Sequence, residues 1–281
     1  DAAVLAAPDG RAVATTDMLV EGRHLRLDWS APQDVGRKAI AQNAADVEAM
    51  GASSTAFVVA FGAPQDTPVE RVQQLADGMW LEAGQFGAGI VGGDLVASPQ
   101  WVISVTALGD LGGRNPVLRS GARPGSAVAA AGDLGRSATG YALWHNGIRE
   151  FEEVRRRHLV PQPPYGQGLV AAQAGAQAMT DVSDGLLADL GHLATASGVS
   201  IDLSGAALQA DVDAMAGAAA AAGVDPWALV LSGGEDHALV ACFPGDVPAG
   251  WRVIGMVREG TPGVVLDGRP PTGPAGWQSF D

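Results

Sequence analysis

From Pro32 to Met50 the apolar residues Val35, Ala39, Ile40, Ala44, Val47 and Met50 recur at helical spacing, and Gly51 follows as a stop. Val69 to Phe86 repeats that pattern. Between and after these helices lie short β-branched or aromatic runs, Thr55 to Phe61 and Trp101 to Leu108, and Ile90-Val91 leads through Gly92-Gly93 into Asp94. At the start, Ala2 to Ala7 and Arg11 to Thr16 flank the turn Pro8-Asp9-Gly10 and predict a hairpin that ends just before Asp17. Beyond Gly109 to Pro116, which reads as a connection, strands are expected at Ser126–Ala131, Ala178–Val182, Ser200–Leu203, Ala238–Phe243, Arg252–Val257 and Val264–Leu266. Helices are expected at Ser137–His145, Phe151–His158, Gln167–Ala176, Asp184–Ser197 and Val212–Ala222. This alternation predicts an α/β (α+β) protein with mixed sheets flanked by helices, divided into a domain at 1–112 and another at 118–281.

Composition agrees with that class. Of the 281 residues 47% are hydrophobic but only 5% aromatic, and 39 are glycine, so the core is built from small aliphatic side chains around many tight turns. Seventeen basic against 31 acidic residues give a net charge of −14, which repels nucleic acid and anionic lipid. A nucleotide remains an acceptable partner if divalent cations stand between carboxylates and phosphates. The lone cysteine, Cys242, can form no internal disulfide and falls in an expected strand, so it reads as a small buried apolar residue and the cytoplasm is the expected compartment. No apolar run approaches the ~20 residues that span a bilayer, so no membrane partner is expected. The abrupt start at Asp1 predicts further residues upstream.

The chemistry-bearing pattern is an Asp placed at an element end beside Gly, Ser or Thr. It occurs in Thr15-Thr16-Asp17, Asn43-Ala44-Ala45-Asp46, Gly92-Gly93-Asp94 and Asp181-Val182-Ser183-Asp184-Gly185, with Asp1 as a further contributor. Singly, each is ordinary turn and capping chemistry. Together, carboxylates without nearby Lys or Arg would need hard cations to converge, and magnesium with ATP is the natural candidate. Arg119 can supply a cation for phosphate. Ser183 lies at an expected helix start, where backbone N–H groups would point at an anion. Neither a P-loop nor the protein-kinase motif set is present.

The same strings resemble the thiamine-monophosphate kinase family, in order and across essentially the whole chain. They are Thr15-Thr16-Asp17 running to Glu21-Gly22-Arg23-His24, Lys38-Ala39 through Asn43 and Asp46 to Gly51-Ala52, Gly92-Gly93-Asp94, Arg119-Ser120-Gly121-Ala122 with Pro124-Gly125, Asp181-x-Ser183-Asp184-Gly185-Leu186, and Ser232-Gly233-Gly234-Glu235-Asp236. Several are shared with the wider group of aminoimidazole ribonucleotide synthetase-like ATP enzymes, whereas Glu-Gly-x-His with Ser-Gly-Gly-Glu-Asp marks the thiamine branch. The resemblance implies a two-domain fold, a homodimer formed through the N-terminal domain, and a C-terminal domain closing over the nucleotide. It implies in-line transfer of the γ-phosphoryl group of ATP to thiamine monophosphate. By position it makes Asp1, Thr15, Thr16, Asp17, Asp46, Asp94, Asp181 and Asp184 metal ligands, gives Arg119 and Ser183 to ATP, and gives His24, Glu235 and Trp277 to the thiamine substrate. Asp46, Asp181 and Arg119 would carry catalysis, the two carboxylates on the metals that bridge the reacting phosphates.

The chain departs from the family pattern at Ala45, where Ser or Thr is usual, at His237, where Tyr is usual, and at Ser53-Ser54, where Pro is usual. The first Asp of the family's Gly-Asp-Asp is absent from this sequence. A selenophosphate synthetase would carry a reactive residue near its N-terminus and a hydrogenase-maturation relative a C-terminal Cys. Cys242 meets neither description.

Overall fold

A computed structural model of the chain describes residues 2–277. It forms two compact units, one of residues 1–48 and 52–115, the other of residues 49–51 and 116–281. The fold is mixed α/β, with two mixed sheets flanked by helices.

In the first unit the strands β1 (Val13–Val20), β2 (Ser53–Ala63), β3 (Gly89–Ala97) and β4 (Val102–Asp110) form a sheet in the order β1-β4-β2-β3, with only β2 and β3 parallel. Burial alternates along β4, where Ile103, Val105, Ala107 and Gly109 are buried and the residues between them are not. The helices α1 (Pro32–Ala49) and α2 (Val69–Ala83) belong to this unit; a Cβ on Gly109 would collide with Val47 of α1, which sets α1 against the buried row. The two helices touch backbone to backbone: a Cβ on Gly36 would fall on the Leu75 carbonyl oxygen, and one on Gly78 on that of Gln33. Arg37 bridges them with a 2.8 Å ion pair to the buried Glu82. The opposite sheet face carries exposed Thr16, Met18, Val58 and Ala60.

Two expectations fail here. Residues 2–7 form no strand and are exposed; only the turn survives, with the Gly10 N–H donating to Ala7 O. Lacking alternating polarity, that run has no face to bury. Asp17 and Asp94 lie within strands rather than beyond their ends, because the β1–β4 register runs on from Val13 opposite Gly109 to Val20 opposite Val102, and β3 continues to Ala97 beside β2.

The second unit holds six strands, β5 (Ala127–Ala131), β6 (Ala178–Asp181), β7 (Ser200–Leu203), β8 (Leu239–Phe243), β9 (Arg252–Arg258) and β10 (Gly263–Leu266), in the order β10-β7-β9-β5-β8-β6. Helices α3 (Arg136–His145), α4 (Glu152–Leu159), α5 (Gln167–Gln173), α6 (Leu186–Ser197), α7 (Gly205–Ala222) and α8 (Pro226–Ser232) complete it. Its central strands β5, β6 and β8 are buried on both faces. Val128, Ala130, Val240 and Cys242 pack with residues of α6 and α7, while Ala129, Ala131, Leu239, Ala241 and Phe243 pack into a separate cluster with Ala171 of α5. Burial pushes the Cys242 thiol up to about 12, in keeping with an inert core residue.

Candidate functional site

Alternation along β1 puts Thr15 and Asp17 on one face and Thr16 on the other. On the first face Thr15 Oγ1 donates to Asp46 Oδ2 at 2.6 Å. At the same strand Asn43 of α1 accepts the Asp17 N–H at 3.0 Å through Oδ1, while its Nδ2 donates to Ala39 O at 2.9 Å. Helix α1 therefore holds Asp46 and Asn43 one turn apart against the strand that carries Thr15 and Asp17. The Thr16 hydroxyl turns to the opposite face, donating to Val105 O at 3.0 Å.

His24 closes the turn after β1: its backbone N–H donates to Val20 O and its Nδ1 accepts the Val20 N–H at 3.1 Å. An accepting Nδ1 puts the proton of the neutral ring on Nε2. Buried Lys38 reaches the His24 carbonyl at 3.2 Å, tying this turn to α1.

Asp94 stands apart from these groups. The register aligns Met18, Ser104, Ala60 and Asp94 in one row across the sheet, so Asp94 lies on the exposed face of the far edge strand, three strands from Asp17. At ~4.8 Å per strand that is about 14 Å. Asp1 lies outside the described residues.

In the second unit Asp181 ends β6 almost fully buried, with Oδ2 3.2 Å from Nδ1 of His237. Arg119 lies alongside, its Nε donating to Thr180 Oγ1 at 3.3 Å. The following loop is gathered by Asp189: its Oδ2 accepts the N–H groups of Ser183, Asp184 and Gly185 at 3.0, 3.0 and 3.1 Å. This corrects one expectation. The backbone donors at Ser183 do point at an anion, but the anion is a side chain of the protein, and α6 starts only at Leu186. Burial, reinforced by the charge of Asp181, pushes the Asp189 carboxyl up to about 7; burial likewise raises Asp184.

A second loop zips onto the first. The Glu235 N–H donates to Ser183 O at 2.7 Å and the His237 N–H to Val182 O at 2.9 Å. Gly234 is required by this approach, since a Cβ there would meet Ser183 O at 2.5 Å. Glu235 and His237 both adopt left-handed backbone, at φ 65 and 53°. Asp236 between them is buried and accepts the N–H groups of Gly135 and Ser137, capping α3. Trp277 joins through its N–H, which donates to Asp184 O at 2.9 Å, and leaves its side chain exposed rather than packed in the core. Asp181, Ser183, Asp184, Glu235 and Trp277, widely separated in sequence, are thus brought to one pair of loops.

Sequence reasoning missed Asp189, the capping role of Asp236 and the contact of His237 with Asp181. Asp189 had a signal: an acid in the first turn of a helix that reaches back to the preceding N–H groups. Among the described residues no three His, Cys, Asp or Glu side chains already gather as a metal site.

Two domain-sized units, each lining up hydroxyl and carboxylate oxygens at loop and strand positions, define an AIR synthase related protein. The description of that family's N-terminal domain matches residues 1–111 and that of its C-terminal domain residues 123–256. A thiamine-monophosphate kinase of Mycobacterium tuberculosis is 70% identical over 280 residues, covering 100% of this chain and 84% of the relative. The crystal structure of thiamine monophosphate kinase from Aquifex aeolicus superposes with a TM-score of 0.85 at 32% identity, over 94% of this chain and 90% of that one. A structure of AaThiL complexed with AMPPCP and TMP gives 0.85 at 30% identity, over 98% and 89%. The chain belongs to the thiamine-monophosphate kinase family, and it is an enzyme of that kind, a phosphotransferase.

Proposed function

We propose that the enzyme uses ATP and magnesium to convert thiamine monophosphate to thiamine diphosphate by direct in-line transfer. The observation that carries this reading is the full-length likeness to a protein solved with AMPPCP and TMP. An anionic oxygen of the acceptor phosphate attacks the γ-phosphorus, the bond from that phosphorus to the β–γ bridging oxygen breaks, and the electron pair leaves on ADP. The attacking oxygen carries no proton, so no general base is needed and catalysis rests on alignment and charge neutralisation.

The donor chemistry fits a hard cation, since every assigned ligand offers oxygen. In the first unit Thr15, Asp17 and Asp46 would hold magnesium from one face, Thr15 and Asp46 already 2.6 Å apart; Thr16 and Asp94 lie on the other face of the sheet and do not join this group, and Asp1 is outside the described residues. In the second unit Asp181 and Asp184 take that role. Magnesium, when bound, supplies positive charge to the phosphates. Arg119 adds a fixed cation beside Asp181 and the Ser183 hydroxyl a phosphate contact. In the second unit Glu235 and Trp277 receive the thiamine moiety, the carboxylate and the exposed indole suiting a cationic thiazolium, and in the first unit His24 is assigned a substrate contact. The exposed face of the first sheet, with Met18 and Val58 among small residues, is the surface through which the protein forms a homodimer, and Asp94 lies on it. The enzyme works in the cytoplasm.

An ADP-release assay with magnesium and ATP tests the reading, offering thiamine monophosphate, free thiamine and formylglycinamidine ribonucleotide as acceptors and identifying products by mass. Turnover confined to thiamine monophosphate, yielding the diphosphate and abolished by chelating the cation, is expected. Turnover with the ribonucleotide would overturn it, and nucleotide binding without turnover would make the protein a binder.

A further inference from the structure

His158 does not appear among the residues assigned above, yet it sits directly behind one of them. It lies in the last turn of α4, 8% exposed, with Nδ1 3.3 Å from Oε2 of Glu235 and 3.3 Å from Oγ of Ser137. Three separate constraints bring it there. Gly140 lets α4 close on α3, since a Cβ at that position would meet Val154 O at 2.5 Å and His158 Cβ at 3.0 Å. Ser137 is fixed through its own N–H, which donates to Asp236 at 2.7 Å, and Asp236 is the residue next to Glu235. Tyr141, one turn on from Ser137, packs edge-on against the imidazole with ring centroids 5.4 Å apart.

Glu235 has a left-handed backbone, and its carboxylate is about one-third exposed. A buried ring in contact with one carboxylate oxygen restricts the rotation of such a side chain.

We propose that His158 is a positioning residue for substrate selection: its Nδ1–H, given to Glu235 and not to the Ser137 hydroxyl that lies equally near, holds the carboxylate in the orientation that receives the cationic ring of the acceptor. The role rests on the reading of Glu235 as the thiazolium contact. His158 touches neither ATP nor the reacting phosphates in this scheme, so its loss acts on acceptor binding alone.

The test compares steady-state constants of His158→Leu, His158→Asn, His158→Phe and Glu235→Gln, with thermal unfolding of each. An Asn amide nitrogen reproduces the position of Nδ1, whereas Leu fills the space without a donor. His158→Leu is expected to raise KM for thiamine monophosphate about 10-fold, the scale of one hydrogen bond to a charged group. KM for ATP should stay within about two-fold and kcat close to wild type, with His158→Asn restoring most of the loss. His158→Phe, a ring without a donor, shifts KM in the same direction and covers the case in which His158→Leu does not fold. If Glu235→Gln raises KM while His158→Leu and His158→Phe leave it unchanged, the positioning role is overturned and the Glu235 contact stands. If Glu235→Gln also leaves KM unchanged, the Glu235 contact fails and the proposal falls with it. Parallel losses in kcat and both KM values, unrescued by Asn, would mark His158 as merely structural and overturn the proposal too.

Discussion

Asp236 shows how a single side chain can stabilise a loop and still make the fold sensitive to pH. Burial pushes its carboxyl up to about 7 against the two N–H donors of α3. The folded protein therefore keeps this proton over a range in which the unfolded chain, at its ordinary 3.8, has released it. The contribution is full below about pH 4, declines as pH rises and levels off above about 7, a span worth on the order of 4 kcal/mol. Urea unfolding followed by tryptophan fluorescence should show stability falling across that window in the wild type and a shallower fall in Asp236→Asn. The variant should also lose about 1–3 kcal/mol at pH 8, because its amide nitrogen faces an N–H that needs an acceptor. Residues of this kind were hidden in the sequence. Ser232-Gly233-Gly234-Glu235-Asp236 was legible as a motif, but that Asp236 caps a helix about 100 positions away follows only from the tertiary path. Asp46 was legible in type and its helix in extent; its bond to Thr15 depended on how α1 settles on β1.

Among elements, the periodic ones were read well and the punctuated ones were not. Eighteen residues of α1 match the expected span almost end to end, since its apolar stripe is long and Gly51 stops it. Helix α7 starts at Gly205, earlier than Val212, because Ser204 caps it by accepting the Ala207 N–H while Gly205-Ala206-Ala207 offers no periodic signal. Helix α8 was missed, although Asp225 accepting from the Trp227 N–H with Pro226 in the first turn is a recognisable start. The contact of α1 with α2 was equally invisible, because mid-helix glycine weakens a helix unless a neighbour comes close. Here one does at both Gly36 and Gly78. Gly78→Ala should thus gain local helix propensity yet destabilise the unit by about 3 kcal/mol, since a methyl would overlap the Gln33 carbonyl and force the helices apart. A lowered thermal midpoint by calorimetry checks this; an unchanged or raised midpoint would show that α2 can move aside.

At the scale of the molecule the two sheets are covered differently. The second unit buries the central strands β5, β6 and β8 of its sheet on both faces, whereas the first leaves one face open at Thr16, Met18, Val58 and Ala60. Sequence showed the strands of both but not this contrast, because apolar Met18 and Val58 stand on the open face among Thr16, Ser104 and Thr106, and single apolar residues do not tell a covered face from an open one. It also singled out the acidic motifs while leaving unseen that Asp94 sits on the open face and Asp17 on the covered one, a distinction made by strand register alone. If that open face pairs with a second copy, Met18→Asp should shift the protein from dimer to monomer mass by light scattering, with a monomeric wild type as the contrary result. A half-covered sheet would also tie the integrity of one unit to mass action. Where a second copy hides the apolar area that its own chain leaves open, dilution should loosen the first unit and leave the second intact, and activity per molecule should then fall with enzyme concentration.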